Sequence, residues 1–285
     1  MNPTFGKDTP ILMYDGTIKK VQDIVVGDQL MSENSAPKTV LTLLRGKTLL
    51  YNIIPEKGLT YTVSKNHVLS LKKKSTYSII DIPLLEYIDI VKLEKEKENK
   101  NENLCQNPNP LLGYRVAIDY PYKEMELDPY FLGYYLGNDK IYQTREEKIS
   151  LEKLSIYKFK HIPQIYKSSN LSSRLSLLAG IIDSIGTLVT NKYEIIHNNK
   201  VMIEDIIYIC HSVGLAVYKT IYKIYIYGQG IEDIPVKSVS KKMFTLAHSD
   251  VLQTSIIIRK KYIDKYYGFT TNGNHRILLD DFTVA

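Results

Sequence analysis

The chain has 285 residues, of which 44 % are apolar, and 37 Lys and Arg against 31 Asp and Glu leave a net charge of +6. This length suggests about two domains, and the apolar content is too high for a disordered chain. The mildly basic charge permits an anionic partner such as DNA but does not require one.

Several classes of protein are excluded by simple counts. No apolar run reaches the roughly 18 residues of a membrane-spanning helix, and the first residues lack the basic and apolar regions of a signal peptide. The two cysteines, Cys105 and Cys210, supply neither a disulfide framework nor a zinc site on their own. We therefore expect an intracellular protein without a membrane partner.

The first 70 residues predict a series of short β-strands, which is typical of an all-β unit. Asp15-Gly16 and Arg45-Gly46-Lys47 each separate two apolar runs, which favours a hairpin at both places. The polar stretch 92–103 predicts a solvated loop inserted in this unit, because strand-like character returns over 112–120.

The middle of the chain has a different pattern. Asp128-Pro129 is typical of a helix start, and this helix is expected over 130–137. A second helix is expected to begin near Ser172 and to end at Gly186, and strand-like runs follow both helices.

The two helices are related to each other. An offset of 47 residues places Gly133 on Gly180, which indicates a helix-strand-strand unit used twice. Glycine within a helix costs about 1 kcal/mol relative to alanine, so two at matching places predict helices that meet backbone to backbone. The alternative is chance glycines in unrelated helices.

From about Thr254 the chain returns to β-structure, with a further hairpin predicted at Asn272-Gly273. The simplest topology is a β domain interrupted by an inserted α/β domain. We predict a β domain formed by residues 1–125 and 250–285, and an inserted domain over 126–249.

The motifs of this chain resemble those of a large intein. Residues 4–16 (TFGKDTPILMYDG), 64–67 (SKNH) and 266–285 resemble the N-terminal, second and C-terminal splicing blocks. Residues 178–186 (LAGIIDSIG) resemble the LAGLIDADG helix of homing endonucleases, and residues 131–139 resemble its first copy. The resemblance implies a mostly β, horseshoe-like Hint splicing domain, interrupted by an α+β LAGLIDADG-type domain of repeated helix-strand-strand units.

The resemblance assigns roles in autocatalytic splicing, which needs no cofactor. Thr4 stands where the family has a Cys or Ser nucleophile, and its less acidic, more crowded hydroxyl is a poor replacement. His67 matches the histidine that polarises the scissile amide and protonates its nitrogen, and Ser64 is expected to bond the same peptide. His275 matches the histidine that assists asparagine cyclisation. The chain stops at Ala285, where the family continues into His-Asn, so we expect deficient splicing, by engineering or by natural decay.

The endonuclease of the family holds Mg²⁺ between two carboxylates, one from the eighth position of each LAGLIDADG helix. The eighth positions here are Asn138 and Ile185, so we expect no bound metal and no nuclease activity. Asp139 is one residue further, about 100° around the helix, and Asp183 is expected to pair locally. Lys160 matches a lysine that the family uses near the scissile phosphate.

DNA binding is a separate prediction. The family lays a β-saddle in the major groove, and Lys219 and Lys223 are expected on one face of a strand over 217–227, with Tyr225 and Tyr227. An ordinary solvent-facing strand is the alternative.

The resemblance implies a monomer whose partner is the flanking extein of a host protein. Two other functions stay open: a domesticated DNA-binding protein without catalysis, and an active endonuclease that uses Asp139 and Asp183 in a shifted geometry.

Overall fold

A computed structural model describes residues 3–98, 111–138, 143–157, 159–243 and 250–285. In chain order the strands are β1 (Thr4–Gly6), β2 (Pro10–Leu12), β3 (Ile18–Lys20), β4 (Gln29–Met31), β5 (Pro37–Pro55), β6 (Tyr61–Ser64), β7 (Val68–Lys73), β8 (Ile79–Pro83), β9 (Leu111–Tyr114), β10 (Gly186–Val189), β11 (Lys192–Ile196), β12 (Ala216–Lys219), β13 (Lys223–Tyr227), β14 (Gln253–Thr254) and β15 (Ile256–Thr271). The helices are α1 (Leu84–Glu98), α2 (Pro129–Gly137), α3 (Arg145–Lys153), α4 (Gln164–Lys167), α5 (Leu171–Ile185) and α6 (Lys200–Ser212). None of the helices within these ranges has the length and hydropathy needed to span a membrane.

The chain forms two compact units, one from residues up to 116 and from 253 onwards, the other from residues 117–252. The predicted boundaries lie at 125/126 and 249/250, so the first differs by nine residues and the second by three. The segment after 116 joins the second unit because the Ile118 N–H donates to Ser212 O (3.0 Å).

The first unit is built around a closed antiparallel sheet of order β15-β1-β6-β5-β4, in which β15 also pairs with β5. A second sheet has the order β14-β9-β7-β8, and β2 pairs with β3. The hairpin predicted at Asp15-Gly16 is confirmed, since β2 and β3 flank it and Gly16 has a φ of 85°. Buried side chains such as Phe5, Val63 and Phe269 form the core.

The hairpin predicted at Arg45-Gly46-Lys47 is wrong. Strand β5 continues through these residues because β15 pairs along it, from Ile256 opposite Pro55 to Thr271 opposite Val40. Gly46 makes room for an aromatic ring: a Cβ there would lie 2.7 Å from Tyr266 Cε1.

Two further predictions for this unit need correction. Residues 92–98 belong to α1 and not to a loop, because alternating Lys and Glu are good helix formers; residues 99–103 lie outside the described ranges. The strand expected over 112–120 ends at Tyr114 as β9.

The second unit packs helices on a four-stranded sheet of order β10-β11-β13-β12. The Asp128 carboxylate accepts the Phe131 N–H (2.9 Å) and caps α2, as predicted. The close approach of the two glycine helices is confirmed: a Cβ on Gly133 would lie 2.1 Å from Leu177 O, and one on Gly180 2.1 Å from Tyr130 O.

The helix-strand-strand unit is present only once in the described residues. After α5 come β10 and β11, but between α2 and α5 the described ranges form α3 and α4 and no strand. A capping box starts α3, in which Glu147 N–H donates to Thr144 Oγ1 (3.1 Å) and Thr144 N–H donates to Glu147 Oε2 (2.6 Å). The strand expected over 217–227 is a hairpin of β12 and β13, since Thr220 N–H donates to Lys223 O (2.8 Å).

Candidate active site

His67 lies in a tight turn between β6 and β7. Its N–H donates to Ser64 O (3.1 Å), and the Asn66 N–H donates to Ser64 Oγ (3.2 Å), so one serine holds the turn. The imidazole is 0 % exposed, and its ring centroid is 5.1 Å from that of Phe5.

Thr4 meets both of these residues at the start of β1. Its N–H donates to His67 Nδ1 (3.2 Å), and its Oγ1 shares a hydrogen bond with Ser64 Oγ (2.7 Å). Three residues that the sequence analysis placed in one site therefore touch, although Thr4 is 60 or more positions from the other two. Their catalytic roles stay predictions.

The nitrogen in contact with His67 belongs to the peptide bond that joins Pro3 to Thr4. Because Nδ1 accepts this N–H, the proton of the neutral imidazole resides on Nε2, which has no hydrogen-bond partner among the described residues. Burial, together with the nearby His275, lowers the pKa of His67 to about 3. The imidazole is neutral at pH 7, and its protonated form is a stronger acid than an ordinary imidazolium.

His275 follows β15 and lies beside a carboxylate. Its Nε2 is 3.6 Å from Asp81 Oδ1, and Asp81 also accepts two hydrogen bonds from Arg276, at 3.0 Å and 2.6 Å, and one from Ser70 Oγ (2.8 Å). Burial lowers the pKa of His275, and the Asp81 charge partly opposes that shift. At this distance the carboxylate acts on the imidazole through its charge, and Nε2 has no hydrogen-bond partner among the described residues.

A charged network holds the segment around His275. Lys38 Nζ donates to Arg276 O (2.6 Å) and lies 3.5 Å from Glu33 Oε2, while Asn274 Nδ2 donates to Glu33 Oε1 (2.9 Å). Sequence reasoning missed these residues. The one available signal was Asp81, a carboxylate inside the apolar strand β8.

The last residues run alongside this segment. Ile277 and Ala285 exchange two backbone hydrogen bonds, of 3.1 Å and 3.0 Å, and Leu12 N–H donates to Leu278 O (2.9 Å). Residues 277 and 278, which follow His275, are therefore in contact both with β2 near the start of the chain and with its last residue.

The endonuclease positions lie at adjacent helix ends in the second unit. Asn138 caps α2, and Ile185 is the last residue of α5. A Cβ on Gly137 would lie 3.0 Å from Ile185 Cγ2, which shows how near the two ends are. Lys160 Nζ donates to Leu136 O (3.1 Å) at the same place.

These residues do not fit a divalent metal ion. An amide and an alkyl group replace the two carboxylates that Mg²⁺ requires, and Asp139 lies outside the described residues. Asp183 is paired, but not locally as predicted: it accepts hydrogen bonds from the Tyr130 hydroxyl (2.9 Å) and the Lys237 N–H (2.6 Å), which lie 53 and 54 positions away in the sequence.

The expectation that Lys219 and Lys223 share a face is wrong. Lys219 is opposite the buried Ile224 and bonds Glu204 of α6, whereas Lys223 is on the other face and lies 3.1 Å from Glu194. The two lysines belong to different strands of a hairpin, and each already has a carboxylate partner.

Comparison with known proteins identifies part of the chain. Residues 4–106 match the family described as Hom_end-associated Hint. An 85-residue stretch is 34 % identical to the catalytic subunit of the V-type proton ATPase of Candida tropicalis, covering 26 % of this chain and 8 % of that protein. The chain thus spans less than a tenth of that relative.

Two solved structures show weaker likeness. The gp41-1 intein is 19 % identical, covering 29 % of this chain and 75 % of that one, with a TM-score of 0.23. A mutant of an Ssp DnaB mini-intein variant is 10 % identical, covering 100 % and 98 %, with a TM-score of 0.34. Such scores are too low to establish a shared fold. The family match confirms the predicted Hint domain, and the endonuclease resemblance stays a prediction.

Proposed function

We propose that this chain, which carries an intein-like Hint domain at residues 4–106, is an intein that excises itself from a host protein and joins the flanking segments without a cofactor. The observation that carries this proposal is the 3.2 Å contact between His67 Nδ1 and the amide nitrogen of Thr4. A family of splicing elements needs a group that delivers a proton to this nitrogen, and the contact places the Nδ1 lone pair of the neutral imidazole there, where it can take up a proton and pass it on.

The first step is an acyl shift at the Pro3–Thr4 bond. The side-chain oxygen of residue 4 attacks the carbonyl carbon of residue 3, the C–N bond breaks, and the nitrogen gains a proton. Ser64, 2.7 Å from Oγ1, is placed to orient this group, whose proton is in net terms the one that the nitrogen gains. The neutral His67 carries this proton: its Nδ1 accepts the proton as the side chain of residue 4 attacks, and it releases the proton readily to the nitrogen because burial lowers its pKa to about 3.

Thr4 makes this step slow. A threonine hydroxyl is far less acidic than a thiol, and its methyl group crowds the approach to the carbonyl. We propose that the machinery around residue 4 is intact and that the nucleophile itself limits the reaction.

The test is a precursor with host residues before Thr4, the substitution Thr4→Cys, and His-Asn-Cys after Ala285. We expect ligated flanks and free intein, identified by mass spectrometry, because the activating residues converge around both junctions. The matched precursor with Thr4→Ala keeps the fold but has no nucleophile and should yield no ligated product. Absence of ligation in a folded Thr4→Cys precursor would refute the splicing function.

The host is proposed to resemble the catalytic subunit of the V-type proton ATPase. An embedded element would match a small part of a much longer relative, and the match covers 8 % of that protein. On this proposal the partner is the flanking extein, and the monomeric chain occupies the intracellular compartment of its host.

For the second unit we propose a LAGLIDADG-type domain that has lost its nuclease. The paired glycines Gly133 and Gly180, at the crossing of α2 and α5, support the relationship. The loss follows from Asn138 and Ile185, which provide no carboxylate at the helix ends.

We expect the purified chain to leave the uninterrupted host gene uncut with Mg²⁺ or Mn²⁺, as followed by gel electrophoresis. The companion variant is the double substitution Asn138→Asp and Ile185→Asp, because it puts one carboxylate at each of the two helix ends. These two negative charges repel each other when no metal ion is bound. Site-specific, metal-dependent cutting by the unaltered chain would overturn the proposed loss and favour an active endonuclease.

A further inference from the structure

Strands β5 and β15 form a long two-stranded ribbon whose charged side chains are nearly all cationic. Residues 37–55 contain three cationic side chains and no carboxylate, and residues 256–271 contain four cationic side chains and one carboxylate. The ribbon therefore carries a formal charge of +6, which equals that of the whole chain, so all other residues together are neutral.

Most of these cations face solvent without a carboxylate partner among the described residues. Those exposed are Arg45, Lys47, Arg259, Lys260 and Lys265. Lys219 and Lys223 of the second unit differ from them, since each binds a glutamate. The ribbon thus presents charge that folding has not neutralised.

The strand register places three of these cations, Arg45, Lys47 and Lys265, on one face. Lys47 is directly opposite Lys265, and the next pair on the same face is Arg45 with Tyr267. Like charges opposite each other weaken a sheet, so nothing in folding favours this pair. The arrangement costs stability unless an anion lies over it.

The same section of the ribbon is shaped and held in place. The Arg45 guanidinium stacks 5.0 Å from the centre of the Tyr267 ring and donates to Gly268 O (3.0 Å). Residues 45–47 and 265–267 line an open groove of about 490 Å³. The Arg45 guanidinium at the edge of this groove is therefore held in place without a ligand.

We propose that the face carrying Arg45, Lys47 and Lys265 binds the phosphate backbone of a nucleic acid duplex. Residues two apart on a strand are about 7 Å apart, and each strand of a duplex has a charge every 3.4 Å or so along its axis. A line of cations at this spacing fits a linear polyanion better than a planar membrane. Contacts to phosphate position a protein without reading sequence.

The experiment measures binding of the purified chain to a labelled 20-base-pair DNA duplex by fluorescence anisotropy, over about 50–200 mM salt. Arg45→Gln, Lys47→Gln and Lys265→Gln together should reduce the slope of log Kd against log salt by about 2.7, since each phosphate contact contributes about 0.9. The matched control removes three exposed cations outside the ribbon: Lys57→Gln, Lys73→Gln and Lys74→Gln. It should leave the slope unchanged.

Either of two results overturns the proposal: an unchanged slope in the ribbon variant, or an equal loss in the control. Binding to vesicles of anionic lipid that the duplex does not displace would also overturn it, in favour of a membrane surface. All six substituted side chains are exposed, so unchanged circular dichroism should confirm that both variants fold. No splicing is needed for this measurement, so it stands whether or not the proposed function does.

Discussion

His67→Ala in the Thr4→Cys precursor is expected to block thiol-induced cleavage at the first junction, with a rate loss of about 10²- to 10⁴-fold. The physical reason is the contact between His67 Nδ1 and the Thr4 nitrogen, at 3.2 Å. Without the imidazole, the nitrogen leaves as an unprotonated amide anion, which is a very poor leaving group. The measurement is the yield of thiol-cleaved product over time, by gel and mass spectrometry.

Two other histidines serve as controls. His275→Ala should leave thiol cleavage intact and slow asparagine cyclisation, because His275 lies beside the residues that pair with Ala285. His161→Ala, in the second unit, should change neither step. If His67→Ala cleaves as fast as the His161→Ala control, His67 does not activate the amide.

Local signals in the sequence predicted local structure well. Asp128 caps a helix and Gly16 makes a hairpin, because both depend on residues within four positions. The glycines at 133 and 180 also predicted a tertiary contact, since a glycine that weakens a helix implies a compensating close approach.

Errors arose where distant residues decide the structure. Gly46 between two apolar runs has the pattern of a turn, but β15, more than 200 positions away, pairs with the strand on both sides of it. The side chain of Tyr266 occupies the space that a Cβ would need. No short window of sequence contains this information.

The residues of the candidate site also fall into two groups, those that sequence motifs predicted and those that depend on distant partners. Thr4, Ser64 and His67 were predicted from family motifs, and the structure brings them into contact. The groups around His275 were missed because Asp81 and Lys38 reach this segment from about 195 and 238 positions away. Common charged residues carry no motif, and only the fold reveals their partnership.

Gly180→Ala is expected to destabilise the second unit by about 2 kcal/mol. The new Cβ would lie 2.1 Å from Tyr130 O and 2.7 Å from Tyr134 N, which are backbone atoms that cannot rotate away. Helices α2 and α5 must separate, at a cost of about 3 kcal/mol, and the better helix propensity of alanine returns about 1 kcal/mol. Denaturant unfolding, with hydrogen exchange of peptides from α2 and α5, measures the loss.

The two glycines of this crossing should also be coupled. Gly133 faces Leu177 O across the same contact, so Gly133→Ala should cost a similar amount alone. The double variant should lose less unfolding free energy than the sum of the losses in the two single variants, because one methyl group already forces the helices apart and makes room for the second. Ser172→Ala, at an exposed position of α5, is the control and should change stability by less than about 0.5 kcal/mol. Strict additivity, or a Gly180→Ala variant as stable as the control, would mean that the helices do not meet backbone to backbone.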